Sequence, residues 1–298
     1  MSSGDIRLVR ELIASQPDRK TMELADARAS FDEQGRQFPF PEGVAIEETT
    51  ANGVPATWFR AADATADAAL LYLHGGGYMT GSPVSHRHLI AGMAVATGLP
   101  TLALDYRLGP EHPFPAAVED AVAACESLLR QGFAANRLVI AGDSAGGGLA
   151  LAAMLALRDQ GRPLPAAGIC LSPWVDLTNE ADSYETRAAF DPILTHARLS
   201  EMAAAYLQGQ SPRAPLASPL FADLAGLPPL LIHVGTDELL LDDALHLDAR
   251  ARAAGVETQL DVWDEMIHVW HYFHPLLTEG RDALARIGDF VHARLRNR

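Results

Sequence analysis

The chain has 298 residues, enough for one large α/β domain or two smaller ones. Hydrophobic residues make up 48% and charged residues 20%, a globular balance that excludes disorder for most of the length. With 23 basic against 38 acidic residues, the formal charge of −15 argues against nucleic acid and against an anionic membrane as partners.

Residues 1 to about 40 read as helical. Ile6, Val9 and Ile13, with Leu8 and Leu12, recur at helical spacing, and the breaker FPFPEG (38–43) ends the region. The first twenty residues lack the apolar core of a secretory leader, and no apolar run approaches a membrane span, so the expected location is the cytoplasm. The two cysteines, Cys125 and Cys170, sit among apolar residues and read as buried thiols. Strand-like runs at 44–49 and 54–60 flank Asn52-Gly53, a hairpin turn pair. Buried strands are then expected at 69–74, 100–106, 137–143, 168–172, 230–235 and 256–263. Helices are expected between most of them, at 115–131, 144–160 and 238–254. Such alternation predicts an α/β fold with a mostly parallel sheet covered on both faces, its chemistry at the carboxyl ends of the strands. Between positions 172 and 230 no strand is evident. Residues 199–207 read as a helix and 211–220 as a Pro-rich connection, so this insertion over the strand ends reads as a lid.

Gly142-Asp143-Ser144-Ala145-Gly146 follows an apolar strand and opens a helix. That is the context of a nucleophile elbow, in which a sharp turn lifts a serine hydroxyl above the sheet and a helix N-terminus lies beneath it. The chain lacks the lysine a phosphate loop would need there. His74-Gly75-Gly76-Gly77-Tyr78 ends an earlier strand, and consecutive glycines let backbone N–H groups face a developing oxyanion. The expected donors are Gly76, Gly77 and Ala145, with His74 anchoring the loop. After the elbow an acid and then a base are required. Asp237 ends a strand and is the candidate acid. The adjacent Glu238 is the lesser alternative, read as an acid at a helix N-terminus. His268, after the strand at 256–263, is the candidate base, and His271 and His274 lie near it. A metal cluster of these three histidines has no matching carboxylate or cysteine motif. His233, inside an apolar strand, reads as a core histidine. The loop 105–116 reads as a rigid brace in which Arg107 pairs with Asp105 or Glu111.

Taken together, HGGGY, DYRLGPEHPFPAA, GDSAGGG, GTDELLLDD and the IHVW tail resemble the hormone-sensitive-lipase-like branch of the α/β-hydrolases, the family IV bacterial carboxylesterases. The resemblance spans roughly residues 44–296. It implies an eight-stranded sheet flanked by helices, with a helical cap: cap segments at 1–43 and 178–216, and a catalytic core at 44–177 and 217–298. It also implies a triad of Ser144, Asp237 and His268 and no cofactor or metal. Two departures stand out. The tail reads His268-Val269-Trp270 where the family commonly has His-Gly-Phe, and Gly109 stands where Ala is commoner. Candidate substrate contacts are Tyr78, Tyr184, Phe190, Tyr206 and Trp270, with Trp174 as a further aromatic. The expected activity is hydrolysis of short- to medium-chain carboxylic esters through an acyl-enzyme. Lactone hydrolysis or amide hydrolysis on the same triad is the alternative, and a non-catalytic small-molecule binding protein is the reading of a different class. The expected partner is a small-molecule ester, and the resemblance allows a homodimer through the edge strand at 256–263.

Overall fold

The computed structural model describes residues 5–16 and 22–296. Its centre is an eight-stranded sheet in the order β1-β2-β4-β3-β5-β6-β7-β8. Strands β1 (Val44–Ala51) and β2 (Val54–Ala61) form an antiparallel hairpin. Its two-residue turn puts Asn52 and Gly53 at φ 56° and 89°, the left-handed pair that Asn-Gly supplies. β2 also pairs antiparallel with β4 (Thr101–Leu104). The remaining pairings, through β3 (Ala69–Leu73), β5 (Leu138–Asp143), β6 (Ala167–Leu171), β7 (Leu230–Gly235) and β8 (Thr258–Trp263), are all parallel. Every residue of β3 through β7 is buried, as continuous apolar runs require when helices cover both faces. β8, at the edge, is only partly covered.

One face carries α4 (Ala116–Arg130), α5 (Ala145–Asp159) and α8 (Leu241–Ala253), packed in a single apolar cluster. The other carries α3 (Arg87–Thr97) and α9 (Thr278–Arg296), joined by Ile6 and Val9 of α1 (Asp5–Ser15). Helices α3 and α9 lie outside the helical segments expected from the sequence. α5 is buried on every side from Ala145 to Leu157, so its near-absence of polar residues follows from its central place. α2 (Leu24–Gln37) stops just before the Phe38–Gly43 breaker. The insertion between β6 and β7 folds into α6 (Ser183–Thr186) and α7 (His196–Leu207). Among the described residues no helix is long and apolar enough to cross a membrane. Cys125 and Cys170 are free and buried, and burial pushes both thiols up to about 12.

The loop 105–116 is braced differently from the expectation. Arg107 pairs with Asp120 at 2.8 Å and Glu119 at 3.0 Å, on the first turns of α4, and with neither Asp105 nor Glu111. Glu111 instead takes Arg28 of α2 at 2.8 Å. The same guanidinium donates to the carbonyls of Met79 and Gly109, at 2.8 and 2.9 Å, so α2 is stitched to the glycine loop and the brace together.

Candidate active site

Ser144 stands between β5 and α5 with φ 54° and ψ −123°, a left-handed backbone that costs a non-glycine residue about 1–3 kcal/mol. The surroundings hold it there. Its N–H donates to Leu171 O at 2.8 Å, and its carbonyl accepts from Gly147, Gly148 and Trp174. A Cβ at Gly142 would strike the Gly146 carbonyl, and one at Gly146 would strike Leu73 O, so the turn closes only with glycine at both positions.

Gly76 and Gly77 follow β3 with φ 118° and 64°. The Gly76 carbonyl accepts from the Met79 and Thr80 amides at 3.2 and 3.0 Å, which fixes the turn, and among the described residues the amides of Gly76 and Gly77 donate to no backbone carbonyl. Ala145 opens α5, and the first amides of a helix have no intrahelical acceptor. Gly76, Gly77, Ser144 and His268 border one cavity of about 410 Å3. His74 anchors the loop: it is buried, stacks on Tyr106 with centroids 4.3 Å apart, and lies 2.8 Å from Gly75 O through Nδ1. Burial lowers its pKa to about 3, so the ring is neutral.

The acid beside His268 is Glu238, which corrects the sequence expectation. His268 Nδ1 lies 2.7 Å from Glu238 Oε2. Glu238 is fully buried, and its other oxygen accepts from Ser172 Oγ at 2.8 Å and Gly235 N at 2.6 Å. Ser172 Oγ in turn accepts the Val269 amide at 3.0 Å, which fixes the loop carrying the base. Asp237 turns away and pairs with Arg10 of α1 at 2.6 Å. Burial works against the charged form of His268, but the hydrogen bond and charge of Glu238, helped by Asp191 and Asp143, hold its pKa above the ordinary imidazole value. The neighbouring histidines serve elsewhere. His271 Nε2 meets His233 Nδ1 at 3.0 Å in the core, and His274 Nδ1 approaches His271 O at 3.2 Å. His233, fully buried, also reaches Asp261 at 3.3 Å, as a paired core histidine should.

The cavity walls also differ from the expectation. Tyr78, Tyr184, Phe190, Tyr206 and Trp270 do not line it. Tyr78 stacks on Tyr206 at 3.9 Å beneath the loop, Tyr184 donates to Asp243 at 3.1 Å, and Trp270 is fully buried against His271 and Trp263. Phe190 is half exposed, and its carbonyl accepts from Arg10 at 2.7 Å. The apolar part of the wall includes Ile13 of α1, Ala27 and Phe31 of α2, Ile193 and Leu194, Leu199 and Met202 of α7, and Val269, Tyr272 and Phe273, and Gln16, Gln34 and Arg198 add polar side chains. Met202 sits on the Gly76-Gly77 loop, where its sulfur fills the space a Cβ at Gly77 would take. The α7 wall residues were discoverable: Leu199 and Met202 stand at helical spacing within the helix expected at 199–207. Nothing in the sequence put Phe31 or Tyr272 beside Ser144.

A family model of the α/β-hydrolase fold matches residues 70–272. An acetyl-hydrolase of Streptomyces hygroscopicus is 49% identical over 294 residues, 98% of this chain and 97% of that protein. A solved esterase from the bacterial hormone-sensitive lipase family superposes with a TM-score of 0.95 at 48% identity, covering 99% of each chain. The esterase EstE5, soaked with p-nitrophenyl butyrate, gives a TM-score of 0.94 at 47% identity over 99% of this chain and all of that one. The chain belongs to the α/β-hydrolase fold family. Within that family it falls in the bacterial hormone-sensitive-lipase-like branch.

Proposed function

We propose that Ser144 is the nucleophile, His268 the general base and Glu238 the orienting acid of this carboxylic ester hydrolase, with the amides of Gly76, Gly77 and Ala145 as its oxyanion hole. The observation that carries this reading is one cavity shared by Ser144 on its strained turn and His268, whose far nitrogen is held by a buried carboxylate. His268 removes the Ser144 proton as Oγ attacks the ester carbonyl. Glu238 fixes the tautomer and stabilises the imidazolium that forms. The oxyanion develops against the three amides, and losing one such donor costs about 2.7–4 kcal/mol in the transition state. His268 returns the proton to the leaving alcohol. Water then repeats the attack on the acyl-enzyme. Side chains and backbone amides supply every step.

The substrates of this reading are short- to medium-chain esters, in keeping with a cavity of about 410 Å3 under mostly apolar walls and with relatives named for acetyl hydrolysis. Segments 1–43 and 178–216 act as the cap: α1, α2 and α7 each contribute to the cavity wall. A homodimer through β8 is part of the same reading, because β8 is one of the two edges of the sheet and Val262 on it is exposed. So is a cytoplasmic location, with which two free thiols agree.

The deciding experiment is hydrolysis of p-nitrophenyl esters from acetate to palmitate, beside Ser144→Ala. Turnover peaking at short to medium chains and lost in the variant is the expected result. A wild type inert on every chain length, or a Ser144→Ala variant that keeps its rate, overturns the assignment.

A further inference from the structure

We propose that Asp143 and His86 form a positioning unit that sets the oxyanion loop against the nucleophile turn, and that the Asp143 charge also acts on His268. This deepens the reaction assigned above and rests on it. Asp143 ends β5, one residue before Ser144, and is 2% exposed. Its Oδ1 accepts the Gly75 amide at 2.9 Å and the Tyr72 hydroxyl at 2.7 Å. Its Oδ2 lies 3.3 Å from His86 Nε2. His86, just ahead of α3, is held on its other side by Ser85 Oγ, 2.8 Å from Nδ1. One carboxylate therefore joins the ends of β3 and β5 and the segment leading into α3.

The carboxylate cannot be a passive filler. Gly75 immediately precedes the two proposed oxyanion donors, and a Cβ there would collide with Asp143 Oδ2, so this side chain occupies the space that decides how closely the loop approaches Ser144. Oxyanion donors act through preorganisation, and a loop held only by its own turn would reorient when charge develops. Asp143 and His86 also border the cavity, so their fields reach the reacting centre. The groups facing Asp143 are Tyr72 and His74 from β3 and its end, His86 ahead of α3, and His268 across the cavity. Burial opposes its ionisation, yet His86, the Tyr72 hydroxyl and His74 hold its pKa below the usual carboxylate range. An ionised Asp143 then favours the imidazolium that His268 becomes, alongside Glu238 and Asp191. Neither residue exchanges a proton with substrate. Each works through Gly76, Gly77 and His268.

The test compares purified wild type with Asp143→Ala, Asp143→Asn and His86→Gln. Competent serines are counted by an organophosphate, and the readouts are kcat and KM on p-nitrophenyl butyrate, inhibition by a trifluoromethyl ketone, and the pH dependence of kcat/KM. Asp143→Ala and His86→Gln should lose roughly tenfold to a hundredfold in kcat per labelled serine, less than deleting a donor outright, with KM within about threefold and inhibitor affinity falling alongside kcat/KM. Asp143→Asn keeps an acceptor for Gly75 but not the charge. It should retain more kcat than the alanine variant while its acid limb moves down by roughly half a pH unit or more. Folded variants that lose only thermal stability, with kcat, inhibitor affinity and acid limb unchanged, overturn the proposal. If the Asp143 variants do not fold, His86→Gln and Tyr72→Phe are judged by the same kcat and inhibitor criteria. A wild type that neither reacts with the organophosphate nor turns over ester brings down the underlying assignment, an outcome separate from the variants' behaviour.

Discussion

The Arg10 guanidinium lies 2.6 Å from the Asp237 carboxylate, a contact that joins helix α1 to the turn presenting Glu238. Arg10 also donates to the Phe190 carbonyl at 2.7 Å, so one side chain ties the N-terminal helix to both the acid turn and the insertion. Because α1 supplies Ile13 to the cavity wall, this latch bears on substrate access.

Arg10→Ala should therefore raise KM by roughly threefold or more while leaving kcat within about twofold, the pattern of a loosened wall. The pair is partly exposed, with side chains 31% and 19% accessible, so its share of global stability should be about 1 kcal/mol or less. Salt screens such a pair, so sodium chloride should raise the wild-type KM and leave the variant's nearly flat. Steady-state kinetics at two ionic strengths checks all three points.

Two adjacent carboxylates make opposite predictions. Glu238→Gln should lower kcat by about 10^3–10^4, since the amide favours the wrong imidazole tautomer. Asp237→Asn should cost kcat less than about threefold, acting only through the Arg10 contact. Equal losses in the two variants, measured on p-nitrophenyl acetate, would contradict the assignment of Glu238.

The pH profile follows from His268, whose pKa stands above the ordinary value because Glu238, Asp191 and Asp143 outweigh burial. A base must be neutral to act, so kcat/KM should fall as pH drops, with an acid-limb midpoint above about 6.5. Stability has the opposite sign. The contribution of the pair is complete below about 6.5, where the unfolded imidazole is also charged, and is lost as pH rises through the folded pKa. Thermal melts and rates across that window should therefore move in opposite directions.

Met202 bounds the space over Gly77, and shortening it opens that space. Met202→Ala should shift the preferred p-nitrophenyl ester toward longer or bulkier acyl groups, by about 1–3 kcal/mol in relative kcat/KM per methylene accommodated. An unchanged chain-length profile would place the acyl group elsewhere.

Trp270 is fully buried and outside the cavity lining. Trp270→Ala should cost about 3–5 kcal/mol in urea unfolding, whereas Trp270→Phe should fold and keep KM within about twofold. A large KM effect in the folded Phe variant would restore Trp270 as a substrate contact.

Much of this molecule is local and thus legible in the sequence. All eight strands correspond to runs expected from the sequence: β3 to β7 because strands buried on both faces must be continuous apolar runs, and β1 and β2 because strand-like runs flank the Asn52-Gly53 turn. The Asn52-Gly53 turn and the Gly142 and Gly146 contacts depend on backbone geometry within a few residues, and that geometry selects residue type directly. Which carboxylate faces His268 was not local. Asp237 and Glu238 are neighbours on one turn, and their directions are settled by Arg10, more than two hundred residues earlier, and by Ser172, on another strand end. The cavity walls follow the same rule: Phe31, Met202 and Tyr272 meet only because α2, α7 and the loop after His268 converge over the strand ends. Residue type at each strand end was written in the sequence; the partner of each side chain was decided only when distant segments packed together.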